Sequence, residues 1–120
     1  ASVHALRASE YKSGYVAAKH ALVGLTKTLA LEGASHGITA NALCPGYVRT
    51  PLVDNQIQKQ AEVHGLCEKE VVSQVLLKKQ AVKEFLPASI LGQLVCLLAG
   101  EESAAITGAC WTADGGWSAQ

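Results

Sequence analysis

The sequence SGYVAAKHALVGLTKTLALE, residues 13–32, decides the fold. Its apolar residues recur at helical spacing, and the pattern predicts a helix from Tyr15 to about Glu32. We expect this helix to be buried on more than one face, because one apolar side can pack on a sheet and the other needs a second partner, such as a second subunit. Tyr15 and Lys19 lie one helical turn apart, so the helix holds a phenol beside an ammonium.

Short strands and further helices follow this first helix. The run ITANALCPG at residues 38–46 ends in Pro-Gly and is typical of a strand inside a parallel sheet. Residues 51–80 carry two short, charged helical patterns, which we expect to form a mobile lid over a site. Pro87 is expected in the first turn of a helix that closes at Gly100. Residues 108–117 predict a last strand and a Gly-Gly turn, so the order of elements indicates an α/β layered fold.

Composition restricts the class of partner. The 120 residues contain ten Lys and Arg against ten Asp and Glu, and 49% are hydrophobic. These values suit one globular domain at most and give no charge pattern for nucleic acid or an anionic membrane surface. No apolar run reaches the roughly 18 residues that a membrane span needs. The cysteines are widely spaced and no leader pattern opens the chain, so we expect a cytoplasmic protein with a small-molecule substrate.

Three motifs resemble those of one enzyme family. Ser2 stands thirteen residues before Tyr15, completing a Ser…Tyr-x-x-x-Lys arrangement, and NALCPGYVRTP (41–51) and ITGACWTADGGW (106–117) follow in order. They are similar to the catalytic set, the N-x-x-x-P-G-x-V-x-T segment and the D-G-G ending of the short-chain dehydrogenase/reductase family. The resemblance covers the whole chain. It implies the C-terminal half of a Rossmann-like doubly wound parallel sheet and hydride exchange between a nicotinamide cofactor and an alcohol or carbonyl carbon.

The resemblance assigns catalytic roles to three residues. Tyr15 would be the general base, since a hydride leaves the substrate carbon only as the hydroxyl proton is removed. A free phenol titrates at about 10, and a neighbouring ammonium favours the phenolate. Lys19 would supply that ammonium and also bond the nicotinamide ribose. Ser2 would hold the substrate oxygen through its hydroxyl.

The cofactor implied by the resemblance is NAD. Ligands of open α/β sheets bind at the carboxyl ends of strands, which is where Pro45 and Gly46 lie. In the family pattern Val48 bonds the carboxamide through its backbone, and the hydroxyl of Thr50 lies near the cofactor. NAD rather than NADP rests on the resemblance alone.

A polar set indicates the substrate class. If the segment at Ser2 is extended, His4 lies on the same face as Ser2, and Lys12 precedes the catalytic helix. Together with Gln56 they resemble the residues by which the bacterial D-3-hydroxybutyrate dehydrogenase subfamily holds a short carboxylate. The implied substrate is a short 3-hydroxy acid, and the implied assembly is a homotetramer. Tyr47 stands where that subfamily usually carries tryptophan, which is a departure in the pocket wall.

Two strands make a poor parallel sheet, so we expect residues 1–120 to be the C-terminal part of one larger domain. The segment ASVHA (1–5) resembles the exit of an upstream strand, and the sequence contains no G-x-G phosphate loop and no acidic residue to read the ribose. The N-terminal cofactor half is therefore expected to be absent. In isolation, the chain is expected to be inactive and not stably monomeric.

Several alternatives stay open. The chain fits another reductase of the family, such as one acting on 3-oxoacyl thioesters, or a truncated non-enzyme kept for assembly. GASHG (33–37) satisfies the G-x-S-x-G pattern of serine hydrolases, but that motif needs a strand before it and a helix after it, whereas here the order is reversed. The histidines lack metal-ligand spacing, so no metal site is expected.

Overall fold

The structure is a computed structural model that describes residues 1–120. Two short strands, β1 (Ala42–Pro45) and β2 (Cys110–Ala113), pair in parallel with Ala42 opposite Cys110. The helices around them are α1 (Ser13–Gly33), α2 (Pro51–His64), α3 (Glu68–Glu70) and α4 (Ala88–Ala99). The α/β class and the parallel sheet are confirmed. None of the helices combines the length and the apolar character needed to cross a bilayer.

Strand β1 is shorter than the expected 38–46. The amide of Asn41 explains the early limit, because its Nδ2 donates to the carbonyl of Ile106 at 2.7 Å and its Oδ1 accepts from the backbone of Ala109 at 3.2 Å. Main-chain bonds flank this amide, since Ala42 donates to the carbonyl of Ala109 at 2.9 Å and Gly108 donates to the carbonyl of Ala40 at 2.7 Å. The backbone of Ala40 also donates to the hydroxyl of Thr107 at 3.0 Å. Side-chain and main-chain bonds together hold the two segments where the regular strand pairing has not yet begun.

Helix α1 begins two residues before the expected Tyr15 and ends at Gly33. Ala30 is its only buried residue within this chain, so the expected burial on more than one face stays a prediction for the assembled protein. The reason is the small number of neighbours: within these residues it packs mainly on the turn Val3–Ala5 and on β1. Leu25 and Leu29 remain about half exposed.

The segment expected to form a lid contains two helical stretches, as predicted, separated at Gly65, which has a positive φ of 63°. The first stretch is α2, and its N-cap hydroxyl at Thr50 accepts from the backbone of Val53. The second is shorter than its pattern indicates, because α3 passes after three residues into a π-helical turn at Val71–Leu76.

The segment after this π-helical turn leads into α4. Pro87 is the N-cap of α4 and lies just outside its first turn, so the expectation for this residue is wrong by one position. Its extended backbone, with ψ near 138°, accounts for the difference, since a helical residue has a negative ψ.

A buried glutamine joins the end of the lid segment to the sheet. Gln80 is 1% exposed, and its Oε1 accepts from the backbone of Tyr47 at 3.1 Å while its Nε2 donates to the carbonyl of Val82 at 3.2 Å. The amide fits between two glycines: a Cβ on Gly46 would lie 2.8 Å from Oε1, and one on Gly115 would lie 2.7 Å from Nε2. The Pro-Gly loop and the Gly-Gly turn are therefore held together by one side chain.

We expect Gly46→Ala to destabilise the protein by about 1–3 kcal/mol, because the added methyl would meet the backbone of Asp114 at 2.9 Å as well as Gln80. Urea unfolding measures the effect. The matched control is Gly92→Ala inside α4, where nothing lies within 4 Å of the added methyl. The control is expected to be neutral or to stabilise by up to about 1 kcal/mol. Equal midpoints for the two variants would contradict the close contact.

Candidate active site

A cavity of about 510 Å³ lies beside the carboxyl end of β1. The turn that opens the chain, the start of α1, the Pro-Gly loop and α2 enclose it. Most of the residues expected to bind substrate or cofactor line it: Ser2, His4, Lys12, Tyr15, Gly46, Val48 and Gln56. The fold thus brings together expected residues that lie up to 54 positions apart in the sequence. The remaining expected residues, Lys19, Pro45 and Thr50, are close to this lining in the chain without forming part of it.

Ser2 begins a turn, and this corrects one expectation. Its backbone is extended, but residues Val3–Ala5 form a 3-10 turn in which the Ser2 hydroxyl accepts from the backbone of His4 at 3.2 Å. The premise that His4 shares a strand face with Ser2 is therefore wrong, because the capping bond turns the chain. His4 still reaches the cavity, and its ring centroid lies 5.5 Å from that of Tyr15. The hydroxyl proton of Ser2 stays free to donate to a ligand.

The phenol and the ammonium of α1 are neighbours, as the spacing predicts. The Nζ of Lys19 lies 5.3 Å from the ring centroid of Tyr15. Tyr15 is 48% exposed, so its ring is open to the cavity and to solvent. A cation at this distance from the ring makes a cation–π contact, which keeps the Lys19 ammonium beside the phenol.

An aromatic wall completes the cavity. The ring of Tyr47 stacks on Trp117 with centroids 6.2 Å apart, and Trp117 meets His4 edge-on at 5.1 Å. Burial, together with the neighbouring Tyr15, raises the pKa of Tyr47 and keeps its hydroxyl protonated. Sequence reasoning missed Trp117 as a site residue. The feature of the sequence that could have identified Trp117 is its place directly after the Gly-Gly turn. Gly116 has a φ of 83° in this turn, and the next residue, Trp117, lines the cavity.

The loop after β1 offers unused backbone groups. Arg49 donates its N–H to the carbonyl of Leu86, and Leu86 donates to the carbonyl of Tyr47, so the two bonds flank Val48. The N–H and C=O of Val48 have no partner within the chain and point away from that contact. One donor beside one acceptor is the complement of a primary carboxamide. The hydroxyl of Thr50 accepts from α2, and its proton is free. These groups fit the amide end of a nicotinamide.

Burial lowers the pKa of His4, and the positive charges of Lys12 and Lys79 lower it further. His4 is thus neutral at neutral pH. Only 5% of its surface is exposed, but it still lines the cavity. A neutral imidazole offers one donor and one acceptor, whereas Lys12 offers a full positive charge. The two groups together can bind an anion through both charge and hydrogen bonding.

Other candidate sites carry less chemistry. A larger cavity of about 650 Å³ between α2 and the π-helical turn mixes both signs of charge and contains none of the predicted residues. In GASHG the hydroxyl of Ser35 is 3.1 Å from His36, both are exposed, and a helix precedes the motif. That order is the reverse of a hydrolase nucleophile turn. No group of three or more His, Cys, Asp or Glu side chains is placed to hold a metal ion.

Curated relatives resemble the chain over its whole length. It is 52% identical over 120 residues to a D-beta-hydroxybutyrate dehydrogenase of Rhizobium meliloti (strain 1021) and 47% identical to a D-beta-hydroxybutyrate dehydrogenase of Cupriavidus necator. In both cases the match covers 100% of this chain and 46% of the relative. The chain therefore spans about half the length of the curated relatives it matches.

Solved structures have the same fold. A short chain dehydrogenase family protein from Francisella tularensis subsp. tularensis SCHU S4 superposes with a TM-score of 0.90 at 33% identity, covering 99% of this chain and 49% of that one. A 4-hydroxyisoleucine dehydrogenase complexed with NADH has a TM-score of 0.83 at 30% identity, covering 100% of this chain and 45% of that one. The actinorhodin polyketide ketoreductase F189W with NADPH has a TM-score of 0.87 at 29% identity, covering 100% of this chain and 46% of that one.

The sequence profile of a dehydrogenase family described as enoyl-(acyl carrier protein) reductase matches residues 1–118. The match includes the Ser, Tyr and Lys positions, the Pro-Gly loop and the Gly-Gly turn. The two-stranded parallel sheet is part of the Rossmann fold that the solved relatives share. The chain belongs to the short-chain dehydrogenase/reductase family.

Proposed function

We propose that the protein is an NAD-dependent dehydrogenase that interconverts D-3-hydroxybutyrate and acetoacetate. The observation that carries the proposal is the single cavity in which a Tyr, a Ser, a Lys, a His and a Gln converge. Identities of 52% and 47% to proteins named D-beta-hydroxybutyrate dehydrogenase support this substrate. Because the chain covers about half the length of those relatives, the proposal concerns the protein in its full length.

Tyr15 acts as the proton acceptor for the substrate hydroxyl. Its side chain lines the cavity, and the Lys19 ammonium lies 5.3 Å from its ring centroid. The free hydroxyl proton of Ser2 donates to the same substrate oxygen and holds it next to Tyr15. In the reverse direction the same phenol returns the proton to the carbonyl oxygen.

The acid end of the substrate binds on the other side of the cavity. Lys12 supplies a positive charge, and Gln56 on α2 supplies an amide donor. His4 adds a neutral donor at the same end. The ring of Tyr47, which stays protonated, and the indole of Trp117 cover the apolar carbons. A short chain with one carboxylate matches this division into a polar end and an aromatic wall.

When bound, NAD supplies the hydride acceptor for this reaction. The N–H and C=O of Val48 would bond its carboxamide, and the hydroxyl of Thr50 would lie beside it. Lys19 would bond the nicotinamide ribose, and Pro45 and Gly46 would border the ring. Relatives of known structure contain NADH in one case and NADPH in another, so the choice of NAD rests on the resemblance to the hydroxybutyrate dehydrogenases.

We also propose a lid, an assembly and a location. Residues 51–80 close on the substrate, which brings Gln56 to the carboxylate and excludes water.

The exposed leucines of α1, among them Leu25 and Leu29, support a homotetramer in which this face of the helix is buried against other parts of the assembly. Four cysteines without a disulfide support a reducing, cytoplasmic setting.

We expect the full-length protein to reduce NAD when D-3-hydroxybutyrate is added, as followed by absorbance of NADH. Acetoacetate with NADH should give the reverse reaction. The matched control is a neutral four-carbon alcohol, 2-butanol, which lacks the carboxylate and should be turned over at least about 100-fold less efficiently. Turnover of acetoacetyl thioesters without turnover of the free acid would contradict the substrate, and the enzyme would then be a 3-oxoacyl thioester reductase. No turnover of any of these would favour a non-catalytic chain.

We expect Tyr15→Phe to lower kcat by about 10²–10⁴-fold while NADH still binds, because the ring stays and only the proton acceptor is lost. Steady-state kinetics give kcat, and NADH fluorescence gives binding. The control variant is Tyr11→Phe, which removes a phenol that is fully exposed and outside the cavity. A Tyr15→Phe enzyme with near-normal turnover would overturn the proposed mechanism.

A further inference from the structure

A chain of three polar side chains leads away from the cavity at His4. The Nε2 of His4 lies 3.1 Å from the hydroxyl of Ser9, and the Nζ of Lys79 donates to the same hydroxyl at 3.1 Å. The three residues come from different parts of the sequence, with Lys79 seventy positions after Ser9. None of the motifs in the sequence points to Ser9 or Lys79.

The ammonium of Lys79 determines which atoms donate and which accept in this series of hydrogen bonds. An ammonium can only donate, so the oxygen of Ser9 accepts from Lys79. The hydroxyl proton of Ser9 has no other acceptor within the chain and is left to donate to His4. Donation by a cation also polarises a hydroxyl, making it a stronger donor and a weaker acceptor. The Nε2 of His4 is therefore the acceptor, and the ring carries its proton on Nδ1.

The other ring nitrogen has no partner within the chain. The Nδ1 of His4 accepts and donates no hydrogen bond there, and it is not among the buried polar atoms that lack a partner. It is thus an accessible atom of a residue that lines the cavity. A proton on Nδ1 turns this atom into a donor, which suits a carboxylate oxygen.

Lys79 is itself held in place. Its ammonium lies 5.6 Å from the ring centroid of Trp117, and its carbonyl accepts from the side chain of Gln120. The residues near it, Leu77 and Gln80, are almost fully buried, so the backbone that carries Lys79 is anchored. The chain of hydrogen bonds thus starts from a fixed cation.

We propose that Ser9 and Lys79 are positioning residues that keep the proton of the His4 ring on Nδ1, so that His4 offers a donor to the carboxylate of the substrate. The role of His4 in carboxylate binding rests on the proposed function, whereas the position of the ring proton is independent of it. The groups that face His4 are Lys12, Lys79, the phenol of Tyr15 and the indole of Trp117. No carboxylate in the chain competes for the Nδ1 proton.

The position of the proton is tested by NMR of the full-length protein labelled with ¹⁵N-histidine. Long-range ¹H–¹⁵N spectra distinguish a protonated from an unprotonated ring nitrogen, and the His4 signals are identified by their loss in His4→Gln. We expect the wild-type ring to carry its proton on Nδ1 and the Ser9→Ala ring to move toward a proton on Nε2. A wild-type ring protonated on Nε2, or no change in Ser9→Ala, would overturn the proposal.

Kinetics test what the position of the proton does. We expect Ser9→Ala and Lys79→Met to raise the KM for D-3-hydroxybutyrate by about 5–20-fold with kcat changed less than about twofold, because a binding contact is weakened and the proton acceptor is untouched. Ser9→Thr keeps the hydroxyl and should restore KM to within about twofold of the wild type. Ser35→Ala is the control, since it removes an exposed serine that also contacts a histidine. A Ser9→Ala enzyme with unchanged KM would overturn the role in binding.

The proposed function and the positioning role can be refuted independently of each other. A protein that does not oxidise D-3-hydroxybutyrate, while its His4 carries the proton on Nδ1, would overturn the proposed function and support the positioning role of Ser9 and Lys79. An active protein with the proton on Nε2 would do the reverse.

Discussion

The parallel pairing of β1 with β2 is the contact on which the site depends. Each strand has only four residues, yet their carboxyl ends release the Pro-Gly loop on one side and the Gly-Gly turn on the other. In a parallel pair both chains leave at the same edge, so the two turns lie side by side. Gly46 donates to the carbonyl of Ala113, and Gln80 fills the space between the turns. The positions of the loop, the aromatic wall and the cavity all depend on this edge of the sheet.

Local patterns in the sequence were enough to predict the elements and the central pair of residues. The spacing of Tyr15 and Lys19 needs only a helix, and the Pro-Gly end of β1 needs only a strand. The limits of β1 could not be predicted, because they are set by the amide of Asn41 reaching residues more than sixty positions away. The turn at His4 is encoded locally, since Ser2 is a good capping residue, although the same residues also fit an extended segment.

The residues around the Tyr15–Lys19 pair were harder to find for a physical reason. Trp117, Ser9 and Lys79 act through contacts between distant segments, and no periodic pattern encodes such contacts. Gln80 is a similar case, because a buried amide beside two glycines is visible only once the turns are placed. The family resemblance predicts that His4, Lys12 and Gln56 bind substrate, and the fold brings the three residues to one cavity. Their chemical roles remain part of the proposed function.

The balance of charge around the cavity differs from that of the whole chain. The net formal charge is zero, but the one ion pair within the chain joins Arg49 to Asp54, and Lys12, Lys19 and Lys79 have no anionic partner. A cluster of uncompensated cations creates a local positive potential that reaches about 8 Å into a solution of physiological ionic strength. Small anions are thereby concentrated at the entrance before any contact is made. For the proposed hydroxy acid substrate, discrimination from neutral alcohols would begin in the solvent, and added salt would weaken that first stage while leaving the hydrogen bonds inside the cavity in place.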